Sequence, residues 1–109
     1  MIGDSFNEIT LIFNSEKNED EKTRAVVDAM EGISINFVDL KTERLTSRQL
    51  FEIIEMLEVN VSELFDPTYA DRTKITSLDD ALSILTKNPL LLATPIIIIG
   101  EYAYQFESS

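Results

Sequence analysis

NPLLLATPIIIIGEYAYQF, Asn88 to Phe106, is the stretch whose reading decides the fold. Proline cannot continue a helix, so Pro89 closes the periodic apolar pattern that precedes it. Pro95 then opens Ile96–Ile99, a β-branched run too short for a buried helix and of the length of a buried strand. Gly100 and Glu101 separate this run from Tyr102–Phe106, the spacing that joins antiparallel strands. The stretch therefore predicts helix end, Thr-Pro junction, strand, turn, strand. Tyr102 and Tyr104 alternate with Ala103 and Gln105, which predicts that the two rings pair across the hairpin.

Upstream, Glu8–Asn14 (EITLIFN) is rich in branched and aromatic residues and ends on the turn formers Asn14 and Ser15, the pattern of a strand. Residues 1–7 read as a loose leader. Asn18 with Glu21 resembles a capping pair, and Val26, Val27 and Met30 form the apolar face of a helix that stops before Gly32. Ile33, Ile35 and Phe37 alternate with Ser34 and Asn36, and Val38 and Leu40 flank Asp39, so a second strand follows. Strand, helix and strand within so short a span imply a parallel pair joined by a right-handed crossover. Thr46 and Gln49 make a capping box before Leu50, Ile53, Ile54 and Leu57, which recur at i, i+3, i+4 and i+7. Val61–Phe65 reads as a short helical turn stopped by Asp66-Pro67. Ser77 and Asp80 cap a third helix whose face is Ala81, Leu82, Ile84 and Leu85.

A chain of 109 residues suits one domain and can bury roughly two-thirds of its unfolded surface. It contains no cysteine and no histidine. Disulfides, thiolate nucleophiles, zinc held by nitrogen or sulfur, and histidine acid-base catalysis are therefore excluded together. Twenty acidic against 9 basic side chains give a formal charge of -11, which repels phosphate backbones and anionic lipid and argues against nucleic-acid and membrane partners. The apolar stretch Pro89–Ile99 is about half of a bilayer span. With acidic residues following Met1 in place of a basic leader, the chain reads as soluble and cytoplasmic.

The order of elements is that of a thioredoxin-like α/β fold: a mixed sheet built from strand-helix-strand, a helical insertion and a C-terminal antiparallel hairpin, in a single domain over residues 8–109. The residues resemble the arsenate reductase and Spx family from Ile9 to about Phe106. The resemblance is carried by Ile9–Asn14, by the block Leu45–Phe65 (LTSRQLFEIIEMLEVNVSELF), and by Lys87–Gly100, where a helix ending in x-x-P-x-L-L precedes a Pro-Ile strand. It implies a cis peptide bond at Thr94-Pro95, which proline permits because cis costs only about 0.5–1 kcal/mol there and no ladder hydrogen bond is lost at a strand's first residue. It also implies a final helix after the hairpin, whereas this chain ends at Glu107-Ser108-Ser109. A partly bare face near Tyr102–Phe106 is then expected, available for self-association or for an unidentified protein partner.

The chemistry that the resemblance implies does not carry over. Arsenate reductases of this group place a nucleophilic cysteine three residues after an asparagine that ends the first strand, which maps the asparagine to Asn14 and the cysteine to Lys17. Their three oxyanion-binding arginines map near Asp66, Thr94 and Gln105, with Pro95 as the cis proline. The redox cysteine pair of Spx regulators would fall in the loop Ser15-Glu16-Lys17-Asn18. Lys17 itself lies near the amides at the first helix start. Among Glu16, Glu19, Asp20 and Glu21 it is expected to be a solvated lysine, and the acids to be macrodipole-favouring helix-start residues. The acidic run lacks the glycine and ligand spacing of a calcium loop, and Asp79-Asp80 reads as another pair of first-turn acids. The tyrosines at 69, 102 and 104, with ordinary pKa values of about 10, have no basic neighbour to make them acids. No catalytic residue, metal or cofactor is expected. The sequence reads as a non-catalytic arsenate reductase or Spx-like domain acting as a protein-interaction or regulatory module; the alternative is an enzyme of that family with unfamiliar, cysteine-independent chemistry using Lys17 or the acidic residues around it.

Overall fold

The structure, a computed structural model, describes residues 8–105. Four strands, β1 (Glu8–Phe13), β2 (Ser34–Asp39), β3 (Ile96–Ile99) and β4 (Tyr102–Gln105), form one sheet in the order β2-β1-β3-β4. β1 and β2 are parallel, and β3 lies antiparallel to both β1 and β4. Helix α1 (Asn18–Asp28) joins β1 to β2, while α2 (Ser47–Leu57) and α3 (Leu78–Lys87) fill the long insertion with 3-10 turns at Val61–Leu64, Ala70–Lys74 and Pro89–Leu91. The fold class is the thioredoxin-like α/β arrangement expected from the residues.

Alternation along β1 divides the core. Leu11 and Phe13 turn to the α1 side, where they meet Val27, Ile35, Phe37 and Ile97, and the Phe13 and Phe37 rings meet edge to face at 6.3 Å. Ile12 turns to the other side with Ile96 and Ile98 and joins Leu50, Ile53, Leu57, Phe65, Ala81 and Leu85. That second layer is thick because α2 places its whole i, i+3, i+4, i+7 stripe against the sheet. Its start carries the expected capping box: the Gln49 N–H donates to Thr46 Oγ1 at 3.1 Å and the Thr46 N–H to Gln49 Oε1 at 2.9 Å. At α3 the Asp80 N–H donates to Ser77 Oγ at 3.1 Å.

Helix α1 differs from its sequence reading. Asn18 is its first residue and not its cap: Lys17 takes the N-cap position without a side-chain bond, and the Glu21 N–H closes on the Lys17 carbonyl at 3.1 Å. Val26 is 65% exposed and Met30 46%, so Val27 alone of the expected apolar face reaches the core. A stretch with three acids in its first turn supplies too narrow a stripe to cover more than β1 and its neighbour.

The hairpin has the expected two-residue connection. Gly100 has φ of +60°, the first position of a type II′ turn, which a side chain would strain. Tyr102 faces Ile99 and Tyr104 faces Ile97 in register, and both rings are largely exposed. The Thr94–Pro95 bond is cis. The leader at 1–7 and Phe106 lie outside the described residues, as does the chain end.

Candidate functional site

The site lies where the β1–α1 turn meets the start of β3. Asn14 follows the last residue of β1 and organises the turn: its N–H donates to Asp20 Oδ2 at 2.9 Å, its Oδ1 accepts the Glu16 N–H at 2.9 Å, and its carbonyl accepts the Lys17 N–H at 3.0 Å. From the β2 side, Asp39 Oδ1 accepts the Ser15 N–H at 3.2 Å and the Lys41 N–H at 3.0 Å. Partial burial alone would raise the Asp39 pKa, but the hydrogen bonds from Ser15 and Lys41, with the Lys41 charge, favour the carboxylate and bring it below its ordinary value. Two carboxylates thus hold one turn from opposite sides and fix the direction in which Lys17 leaves it.

A second segment is fastened to the strand entry. The Ala93 N–H donates to the Leu64 carbonyl and the Asp66 N–H to the Leu91 carbonyl, each at 2.8 Å, with Phe65 bridged to Leu92. This zipper sets Asp66 beside Thr94. Lys17 Nζ reaches across from the turn to form an ion pair with Asp66 Oδ2 and lies 3.4 Å from Thr94 Oγ1. The other Asp66 oxygen accepts the Thr68 N–H at 2.9 Å and the Thr68 hydroxyl at 2.7 Å. Burial pushes the Asp66 pKa up, yet the Lys17 ammonium and the two Thr68 donors outweigh it, so the group titrates below its ordinary value.

Of the six positions singled out in the sequence, Lys17, Asp66 and Thr94 are in direct contact. Pro95 follows Thr94 in the cis linkage, and Gln105 is one residue removed, its Nε2 donating to the Ala93 carbonyl at 2.9 Å. Asn14 shapes the turn without touching the pair. Two expectations are corrected. Lys17 is not a solvated lysine: its side chain is 22% exposed and that of Asp66 11%, because the zipper presents a carboxylate to it. Asp20 is not a dipole-facing surface acid: it is fully buried, one oxygen bonded to Asn14 and the other without a hydrogen-bond partner among the described residues. Asp20, Asp39 and Thr68 were not distinguished by the sequence, where they are ordinary members of an acidic run, a strand end and a loop.

Beside the ion pair, a groove of about 450 Å³ opens between Leu57, Phe65, Pro67, Thr94, Tyr104 and Gln105. Among the described residues no group of three or more His, Cys, Asp or Glu side chains is placed to hold a metal, and no helix is long and apolar enough to cross a membrane. The arrangement can neutralise and immobilise a lysine. It offers no thiol, and the one cation at its centre is already matched by a carboxylate.

Among solved structures, an arsenate reductase from Vibrio cholerae superposes with a TM-score of 0.76 at 15% identity, covering 90% of this chain and 88% of that one. An arsenate reductase related protein from Brucella melitensis superposes with a TM-score of 0.69 at 15% identity, covering 93% of this chain and 88% of that one. No family model matches the sequence, and no curated protein matches it. The chain therefore shares the fold of arsenate reductase-like proteins over about nine-tenths of its length, at a sequence distance where the fold is what the likeness establishes.

Proposed function

We propose that this chain is an arsenate reductase-like domain in which reductase chemistry has been replaced by a structural contact, and that it works in the cytoplasm as a non-catalytic protein-interaction or regulatory module. The observation that supports this reading is the Lys17–Asp66 ion pair. Where the resemblance expects an anionic nucleophile at 17 and a cationic clamp at 66, this chain carries a cation at 17 and an anion at 66, and the two are in contact. The charges are inverted as a pair. An arriving oxyanion meets Asp66 where it needs a donor, and no side chain can form the sulfur intermediate that thiol-linked reduction requires.

A coupled reductase assay tests the proposal. With arsenate and either the glutathione–glutaredoxin or the thioredoxin system, turnover is expected to equal that of a no-protein control. Rates above the control that vanish in Lys17→Met would establish cysteine-independent chemistry at this site and end the proposal.

A further inference from the structure

We infer that the groove between the end of β2 and the end of α3 is an anion site, and that its ligand is a small phosphate ester with an apolar body. This inference stands apart from the proposed module role and does not depend on it. The groove, about 370 Å³, is lined by Lys41, Thr42, Glu43 and Arg44 from the loop after β2 and by Lys87 and Asn88 from the α3 terminus, over a floor that includes Leu40 and Pro89–Leu91.

The distribution of cations carries the argument. The chain has 9 basic residues against 20 acidic ones, so a cation can readily be placed beside a carboxylate. Five of the nine are: Lys17, Lys22, Arg24, Arg48 and Lys74 each form an ion pair. Of the other four, Lys41, Arg44, Arg72 and Lys87, none forms one among the described residues, and all but Arg72 line this one groove. Like charges lining one concave surface repel one another, a cost that a bound anion removes. The macrodipole accounts for Lys87 in the last turn of α3, and the nearby Asp39 carboxylate for part of the Lys41 charge, but neither accounts for Arg44, which lies on a loop.

Charge and shape then select the ligand. Three cations and Glu43 leave the lining at +2, which a phosphoryl dianion neutralises, and the Arg44 guanidinium and Asn88 amide supply directional donors. Leu90, 37% exposed, and its apolar neighbours offer a surface for a hydrocarbon or aromatic body. A nucleic acid or an anionic membrane would bring its whole negative array against a protein of charge -11, whereas a small ester presents its charge to the groove alone.

The test is an amide-resolved NMR titration of the full chain with phenyl phosphate, inorganic phosphate and sodium chloride at matched ionic strength. Saturable shifts confined to residues 40–44 and 87–91 are expected with phenyl phosphate, weaker ones with inorganic phosphate and none with chloride. Arg44→Gln should weaken phenyl phosphate about tenfold, the scale of losing one charge-assisted contact, while Arg48→Gln, paired with Glu52 outside the groove, should leave it unchanged. The same spectra report whether each variant is folded. Chloride shifts equal to those of phosphate, equal weakening by Arg48→Gln, shifts centred on Lys17 and Thr94, or no saturation in the millimolar range would each overturn the assignment.

Discussion

At the scale of single residues, Lys17 and Asp66 are informative because each changes meaning when the other is present. Removing one partner of a largely desolvated pair strands a charge, while changing both removes the interaction and its penalty together. Lys17→Met alone is therefore expected to destabilise the fold by about 1–3 kcal/mol. The double variant with Asp66→Asn should cost less than the sum of the single changes, since Asn keeps an acceptor for the Thr68 donors. Urea unfolding of the four proteins measures the coupling; additive effects would show that the contact contributes nothing. Asp66 also sets a pH response. Its folded pKa lies below the ordinary aspartate value, so the folded protein binds this proton less readily than the unfolded chain does. The contribution is complete above about pH 4 and is lost as pH falls through the folded pKa. The urea midpoint should drop below pH 4 less steeply in Asp66→Asn than in the parent, and equal slopes would remove Asp66 from the response.

Among the elements, α2 and α1 behave as opposites. In α2 the capping box and the apolar stripe agree, so the predicted helix and the observed one coincide. Ile53→Ala should cost about 2–5 kcal/mol, as a fully buried branched side chain does when truncated, and Thr46→Ala about 1 kcal/mol. By contrast Val26→Ser in α1 should stay within about 0.5 kcal/mol, the usual range for an exposed position. Thermal unfolding of the three variants checks the order, and a large loss at Val26 would mean that the outer face of α1 is packed in solution. The same contrast explains what the sequence could convey. Strands, the hairpin turn and the α2 cap are local patterns and were legible. Whether Val26 or Val27 faces inward depends on how α1 lies across β1, and whether Lys17 is solvated depends on a carboxylate 49 positions away. The six site positions could be numbered from a resemblance, yet the sign of their interaction appeared only when the zipper between residues 64–66 and 91–93 placed Asp66 beside Thr94. Asp20 was invisible for a different reason: three acids stand in the first turn of α1, and nothing local marks which one turns inward.

For the whole molecule, charge is the dominant feature. An excess of 11 negative charges opposes compaction, so moderate sodium chloride, which shortens the screening length to about 10 Å near 0.1 M, should raise the urea midpoint. A fall would mean that specific ion pairs outweigh the general repulsion. The sheet adds a geometric asymmetry: α2 and α3 bury one side thickly, while β4 presents Tyr102 and Tyr104 on the other. The inverted pair at the β1–α1 turn also bears on how this domain could change in future. A cysteine introduced at position 17 would emerge against the Asp66 carboxylate, which disfavours ionisation of a thiol and so suppresses the form that attacks. A cysteine placed at 17 first is a sluggish thiol, and an arginine placed at 66 first sets a new cation against Lys17. Neither substitution alone leaves a reactive thiol beside a free cation, so one salt bridge couples positions 17 and 66 against stepwise change.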